Sequence, residues 1–143
     1  MVDFPSEDGP MYKWSKVEAV EGADKLLSEL SSVANCYIAT NAKASSKDDI
    51  RKALSRVLLD KYIKDVFCYQ SIGFEKPSKE FFYYILASLN ADKNEIVMIG
   101  DGLEKDILGA IDFGFEAIWI NTRKQPIPEG INSVDCLLQI LNL

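Results

Sequence analysis

A chain of 143 residues is sized for one folded domain with a real core, and 48% hydrophobic with 27% charged residues excludes a disordered, fibrous or disulfide-built class. A net charge of -6 argues against a non-specific nucleic-acid binder, and no apolar run approaches the roughly 18 residues that span a bilayer, so the cytoplasm is the expected compartment. The absence of His excludes Ser-His and Cys-His catalysis and most zinc sites, and three widely spaced cysteines imply no disulfide framework, which leaves any chemistry to carboxylates, Lys, hydroxyls and amides.

In chain order, Met1 to Lys16 reads as a loop segment, and helix and strand patterns then alternate without repeats. Ala23, Leu26, Leu27 and Leu30 give the apolar face of a first helix, followed by a strand over Cys36–Ala39 that ends at Thr40-Asn41. Ser46 is placed to cap a second helix whose Ile50, Ala53, Leu54, Val57 and Leu58 form one stripe. A short strand is expected at Val66–Tyr69, and Ser78 then caps a third helix carrying Phe81, Phe82, Ile85 and Leu89.

The unbroken apolar run Ile96–Ile99 fits a strand covered on both faces, as in parallel sheets. Glu104–Phe113 reads as a helix stopped by Gly114, Ala117–Ile120 as a further strand, and Ser133–Leu141 as a closing amphipathic helix after the Gln125–Gly130 connector. This rhythm predicts an α/β fold: one Rossmann-like, doubly wound parallel sheet filling a single domain over residues 1–143. In such sheets ligands sit beyond the carboxyl ends of the strands.

Three polar features stand at or soon after those ends: Thr40-Asn41, Lys76-Pro77, and Gly100-Asp101 followed by Asp106. Asp101 follows an apolar strand and a glycine that allows a sharp turn, and hard carboxylate oxygens suit Mg²⁺. Asp106, little more than one helical turn on, can approach the same site and hold a water or a lysine. Each feature has a plainer reading as well. Asp101 can be a helix cap and Asp106 a first-turn acid favoured by the macrodipole, Thr40-Asn41 an ordinary turn, and Lys76 a solvated loop lysine.

Taken together and in order, Thr40-Asn41, Lys76-Pro77 and Gly100-Asp101-Gly102-Leu103-Glu104-Lys105-Asp106 resemble motifs II, III and IV of the haloacid dehalogenase (HAD) superfamily, and Gly109-Ala110 and Gly114 match the helix that follows motif IV. The resemblance runs from roughly Val20 to Thr122. It implies a HAD-like core that hydrolyses a small phosphorylated metabolite with Mg²⁺. Thr40 would bind the transferring phosphoryl group, with Asn41 beside it, and Lys76 would stabilise its charge. Asp101 and Asp106 would anchor the metal, directly or through water.

The family's motif I, an apolar strand ending in the Asp that attacks phosphorus, has no counterpart in the sequence. Asp3 and Asp8 neither follow an apolar strand nor form Asp-x-Asp, and Pro5 and Pro10 oppose strand structure. The opening resembles instead the stretch after motif I in members with almost no cap domain. Met1 then reads as an internal methionine with the motif I strand encoded just upstream.

That strand would lie centrally, so its loss predicts weak Mg²⁺ binding, impaired catalysis and exposed ladder groups costing roughly 1–3 kcal/mol each. Three compensations are open: direct pairing of the flanking strands, irregular filling by the N-terminal peptide, or filling by another chain in a homo-oligomer. The alternative function is a non-catalytic HAD-like module that binds phosphate or a protein. A receiver-like signalling domain fits less well, because the acidic cluster and the phospho-accepting Asp it needs are not in register.

Overall fold

The structure, a computed structural model, describes residues 2–3, 10 and 18–143, so most of the opening segment lies outside the described residues. The chain divides into two compact units, Met1–Gly73 and Phe74–Leu143.

In the first unit, strand β1 (Val2–Asp3), within the segment read as a loop, pairs antiparallel with β2 (Glu18–Ala19). Helix α1 (Ala23–Leu30) buries Ala23, Leu26 and Leu27, the i, i+3, i+4 stripe expected from its spacing. Strand β3 (Cys36–Thr40) pairs in parallel with β4 (Ile63–Cys68), with a register irregularity between Cys36 and Tyr37. Beside this irregularity the carbonyls of Ile63 and Lys64 accept from Arg51 Nη2 at 3.0 and 2.9 Å.

Helix α2 (Lys47–Arg56) starts at Ser46 with a reciprocal capping box: Ser46 Oγ accepts from the Asp49 amide, and the Asp49 carboxylate accepts from the Ser46 amide. The stripe ends sooner than its spacing predicts. Val57 closes the helix, and Leu58 adopts the left-handed conformation at φ 60° with 73% of its surface exposed. Leu59, whose amide bonds back to the Leu54 carbonyl, is fully buried in its place. Strand β4 starts three residues before the expected Val66, and Tyr69 opens the short helix α3 (Tyr69–Ile72) instead of extending the strand.

The second unit holds three parallel strands, β5 (Val97–Gly100), β6 (Glu116–Ile120) and β7 (Ser133–Val134), in that order. Helix α4 (Lys79–Leu89) begins where Ser78 Oγ accepts from the Phe81 amide and buries Phe81, Phe82 and Ile85. Phe82 meets Phe113 and Phe115 at ring separations of 6.0 and 5.9 Å, the aromatic centre of this unit's core.

Two expectations change here. No residue of β5 is fully buried and Val97 is 46% exposed, so the strand is less covered than its apolar run predicts, and among the described residues it has a ladder partner along one edge only. The C-terminal segment is not one α-helix: Ser133–Val134 joins the sheet and Leu137–Asn142 forms a 3-10 helix. The buried residues of that helix, Leu137 and Ile140, lie three positions apart, one turn at three residues per turn. Among the described residues no helix is long and apolar enough to cross a membrane.

Candidate active site

The polar cluster of the second unit starts from strand β5. The register sets Gly100 opposite Trp119 of β6, and the chain turns immediately afterwards at Asp101-Gly102. A π-helical turn (Leu103–Leu108) follows and leads into α5 (Gly109–Phe113), which ends at Gly114 with φ 109°. The segment expected to be one α-helix is thus wider in its first half. Both the Asp106 and Ile107 amides bond back to the Gly102 carbonyl, at 2.9 and 3.2 Å.

This wide turn brings Asp106 back over the start of the loop. Its Oδ1 accepts from Lys76 Nζ at 2.7 Å, and its Oδ2 accepts from the Gly102 amide at 3.1 Å. The ion pair is nearly dry, with 8% of the Lys76 side chain and 7% of the Asp106 side chain exposed. A lysine and a carboxylate so far from water persist because each satisfies the other. Of the two roles open to Asp106 from its spacing, holding a water or a lysine, it holds the lysine.

Gly100 is required by this geometry. A Cβ built there would lie 2.5 Å from Asp106 Oδ2, so any side chain would displace the carboxylate. Gly109 serves the other partner. A Cβ there would come within 2.6 Å of the Pro77 Cβ, so the missing side chain is the space into which the Lys76-Pro77 loop packs.

Asp101 differs from Asp106 in being exposed. Its backbone carbonyl accepts from Trp119 Nε1 at 3.1 Å. Trp119 was not among the residues singled out from sequence, although an indole in a buried strand always needs an acceptor for its N–H. Thr40 and Asn41 belong to the first unit, at the end of β3, and both are half-buried. The Thr40 hydroxyl accepts from the Ala42 amide at 3.2 Å. Burial pushes the thiol pKa of Cys36, in the same strand, up, which disfavours its thiolate.

For a cation the cluster offers the Asp101 carboxylate directly, while both Asp106 oxygens already accept hydrogen bonds. No group of three metal-binding side chains occurs among the described residues. This sparse, hard-oxygen donor set fits Mg²⁺, which usually binds through one or two carboxylates and takes its other ligands from water and phosphate. A cleft of about 420 Å³ in the same unit, lined by Pro77, Glu104, Leu108, Gly109 and Phe113 among others, does not include Lys76, Asp101 or Asp106.

The second unit thus combines parallel strands, a buried lysine–carboxylate pair and an exposed aspartate just after a strand, in an α/β fold. The chain belongs to the haloacid dehalogenase-like hydrolases, whose family model matches residues 3–114. It is 35% identical over 111 residues to the pyrimidine 5'-nucleotidase YjjG of Escherichia coli (strain K12), a match covering 77% of this chain and 48% of that protein. The magnesium-bound crystal structure of YfnB from Bacillus subtilis superposes with a TM-score of 0.79 at 26% identity, covering 92% of this chain and 57% of that one. A protein from Listeria monocytogenes serotype 4b shares the fold, with a TM-score of 0.87 at 23% identity over 99% of this chain and 89% of its own. The chain spans about half the length of the curated relatives it matches, 48% and 55% of the first two.

Proposed function

We propose that the chain is the phosphate-handling part of a HAD-type phosphohydrolase that acts with Mg²⁺ on a small phosphorylated metabolite in the cytoplasm. The observation that carries this reading is the buried Lys76–Asp106 pair beside Gly100 and Gly102. A lysine held at 2.7 Å by a dry carboxylate is a fixed positive charge, already desolvated, suited to stabilise the negative charge that spreads over a transferring phosphoryl group. Thr40, through its hydroxyl, and Asn41, through its amide, would hold phosphoryl oxygens.

Mg²⁺, when bound, would neutralise phosphate charge. Asp101 would be its direct protein ligand and Asp106 an outer one acting through water. Asp106 keeps Lys76 in place meanwhile. The relatives' names support the substrate class, since a pyrimidine 5'-nucleotidase acts on a small phosphorylated compound.

The attacking aspartate is the part that the sequence does not supply in its family pattern. Asp3 and Asp8 are not followed two residues on by a second Asp, so the chain by itself is a poor catalyst in this reading, with weak metal binding. The same observation favours a second reading, a non-catalytic phosphate- or protein-binding module. Assays of the chain and of an N-terminally extended version with para-nitrophenyl phosphate and Mg²⁺ separate the two. Hydrolysis by the longer form alone supports the phosphohydrolase, whereas phosphate binding without hydrolysis by either form supports the module. We further propose that a second copy of the chain covers the ladder edge of β5 that carries no partner among the described residues. Light scattering after size exclusion tests this, and a strictly monomeric, cooperatively folded chain would count against it.

A further inference from the structure

We infer that Trp119 is a positioning residue for Asp101, acting through the single hydrogen bond from its indole to the Asp101 carbonyl; the inference rests on the reading of Asp101 as the Mg²⁺ ligand. Asp101 stands between Gly100 and Gly102, and two flanking glycines give a tripeptide with more backbone freedom than any other pair of neighbours. Left to itself, such a segment would spread an exposed carboxylate over many positions, and an ion would have to order it on binding.

Three restraints remove that freedom. The β5–β6 ladder fixes Gly100 opposite Trp119, the Gly102 amide donates to Asp106 Oδ2 at 3.1 Å, and the Trp119 indole donates to the Asp101 carbonyl at 3.1 Å. Only the last of these acts on Asp101 itself. Its donor is also the most rigid, a ring that is 1% exposed and cannot move without disturbing the core. The contact is more than Trp119 satisfying its own N–H: the acceptor lies in the one turn that carries an exposed carboxylate at the end of β5.

The test titrates Mn²⁺, as a paramagnetic stand-in for Mg²⁺, into the full chain and follows the free-ion resonance. The wild type is expected to bind weakly but saturably, Asp101→Asn to abolish that binding, and Trp119→Phe to weaken it about fivefold, the worth of one ordinary hydrogen bond. Phe115→Leu, a buried core change away from the Asp101 turn, is the control: it lowers stability but leaves the affinity unchanged. If Trp119→Phe binds as tightly as wild type, or Phe115→Leu weakens binding equally, the positioning role is wrong while the metal reading stands. If the wild type does not bind, or Asp101→Asn binds normally, the metal reading fails and this inference fails with it.

Discussion

Replacing Lys76 by Met keeps most of the length and apolar contact of the lysine stem but removes the ammonium that faces Asp106. The carboxylate is then left 7% exposed, with the Gly102 amide still donating to it and its charge no longer matched by Lys76. Breaking a buried pair from one side costs about 3–5 kcal/mol, a large part of the roughly 5–15 kcal/mol that holds a typical domain together. Urea titrations of Lys76→Met, Asp106→Asn and the double variant form a cycle that isolates the pair from any other contact of either residue. The double variant, neutral on both sides and still able to accept from Gly102, is expected to recover most of the loss. Lys47 and Asp65, at 3.1 Å but 39% and 46% exposed, provide the comparison, for which Lys47→Met should cost under about 1 kcal/mol. A Lys76→Met penalty as small as that of Lys47→Met would refute the argument that this pair is desolvated and interdependent.

Leu58→Gly should stabilise the chain by about 0.5–1 kcal/mol, raising the midpoint of thermal unfolding by about 2–4 °C, because it relieves a left-handed φ of 60° at a side chain 73% exposed. An unchanged or lower midpoint would show that the exposed leucine makes a contribution outweighing its backbone strain. Burial works to raise the Asp65 pKa, but the Val66 amide, Lys47 and Arg51 outweigh it and hold the carboxyl below its ordinary 3.8. Its stabilising contribution is therefore present above pH 3.8 and fades as the pH falls through the lower folded value, so the stability difference between wild type and Asp65→Asn, measured by urea midpoints, should shrink in that acid window.

The parts legible from sequence were those where composition and spacing dictate one outcome. Ser46 and Ser78 cap the helices assigned to them, and the apolar spacing of α1 and α4 picks out their buried faces. The approach of Asp106 to the Gly100–Gly102 turn was legible because little more than one helical turn separates it from Asp101, and Asp106 does accept from the Gly102 amide there. Less legible were features set by neighbours distant in sequence. Trp119 bonds to a residue 18 positions away, and nothing in its own strand names the acceptor. Leu58 carries a conformation usually given to glycine, so its apolar character pointed to a buried stripe that the backbone leaves one residue early. The C-terminal segment misled in a related way: Val134, Leu137 and Ile140 suit a helix in general, but the ladder to β6 takes the first of them.

Gly109 gives the candidate site an unexpected kind of vulnerability. It carries no functional group and stands in a helix, where glycine is a poor choice on conformational grounds. Yet its bare Cα is the socket for Pro77, the residue that follows the buried lysine, and a Cβ there would come within 2.6 Å of the proline ring. The exchange that generic helix engineering would try first, glycine to alanine, is the one this socket forbids. Stabilising the helix and seating the proline are competing demands on the same atom.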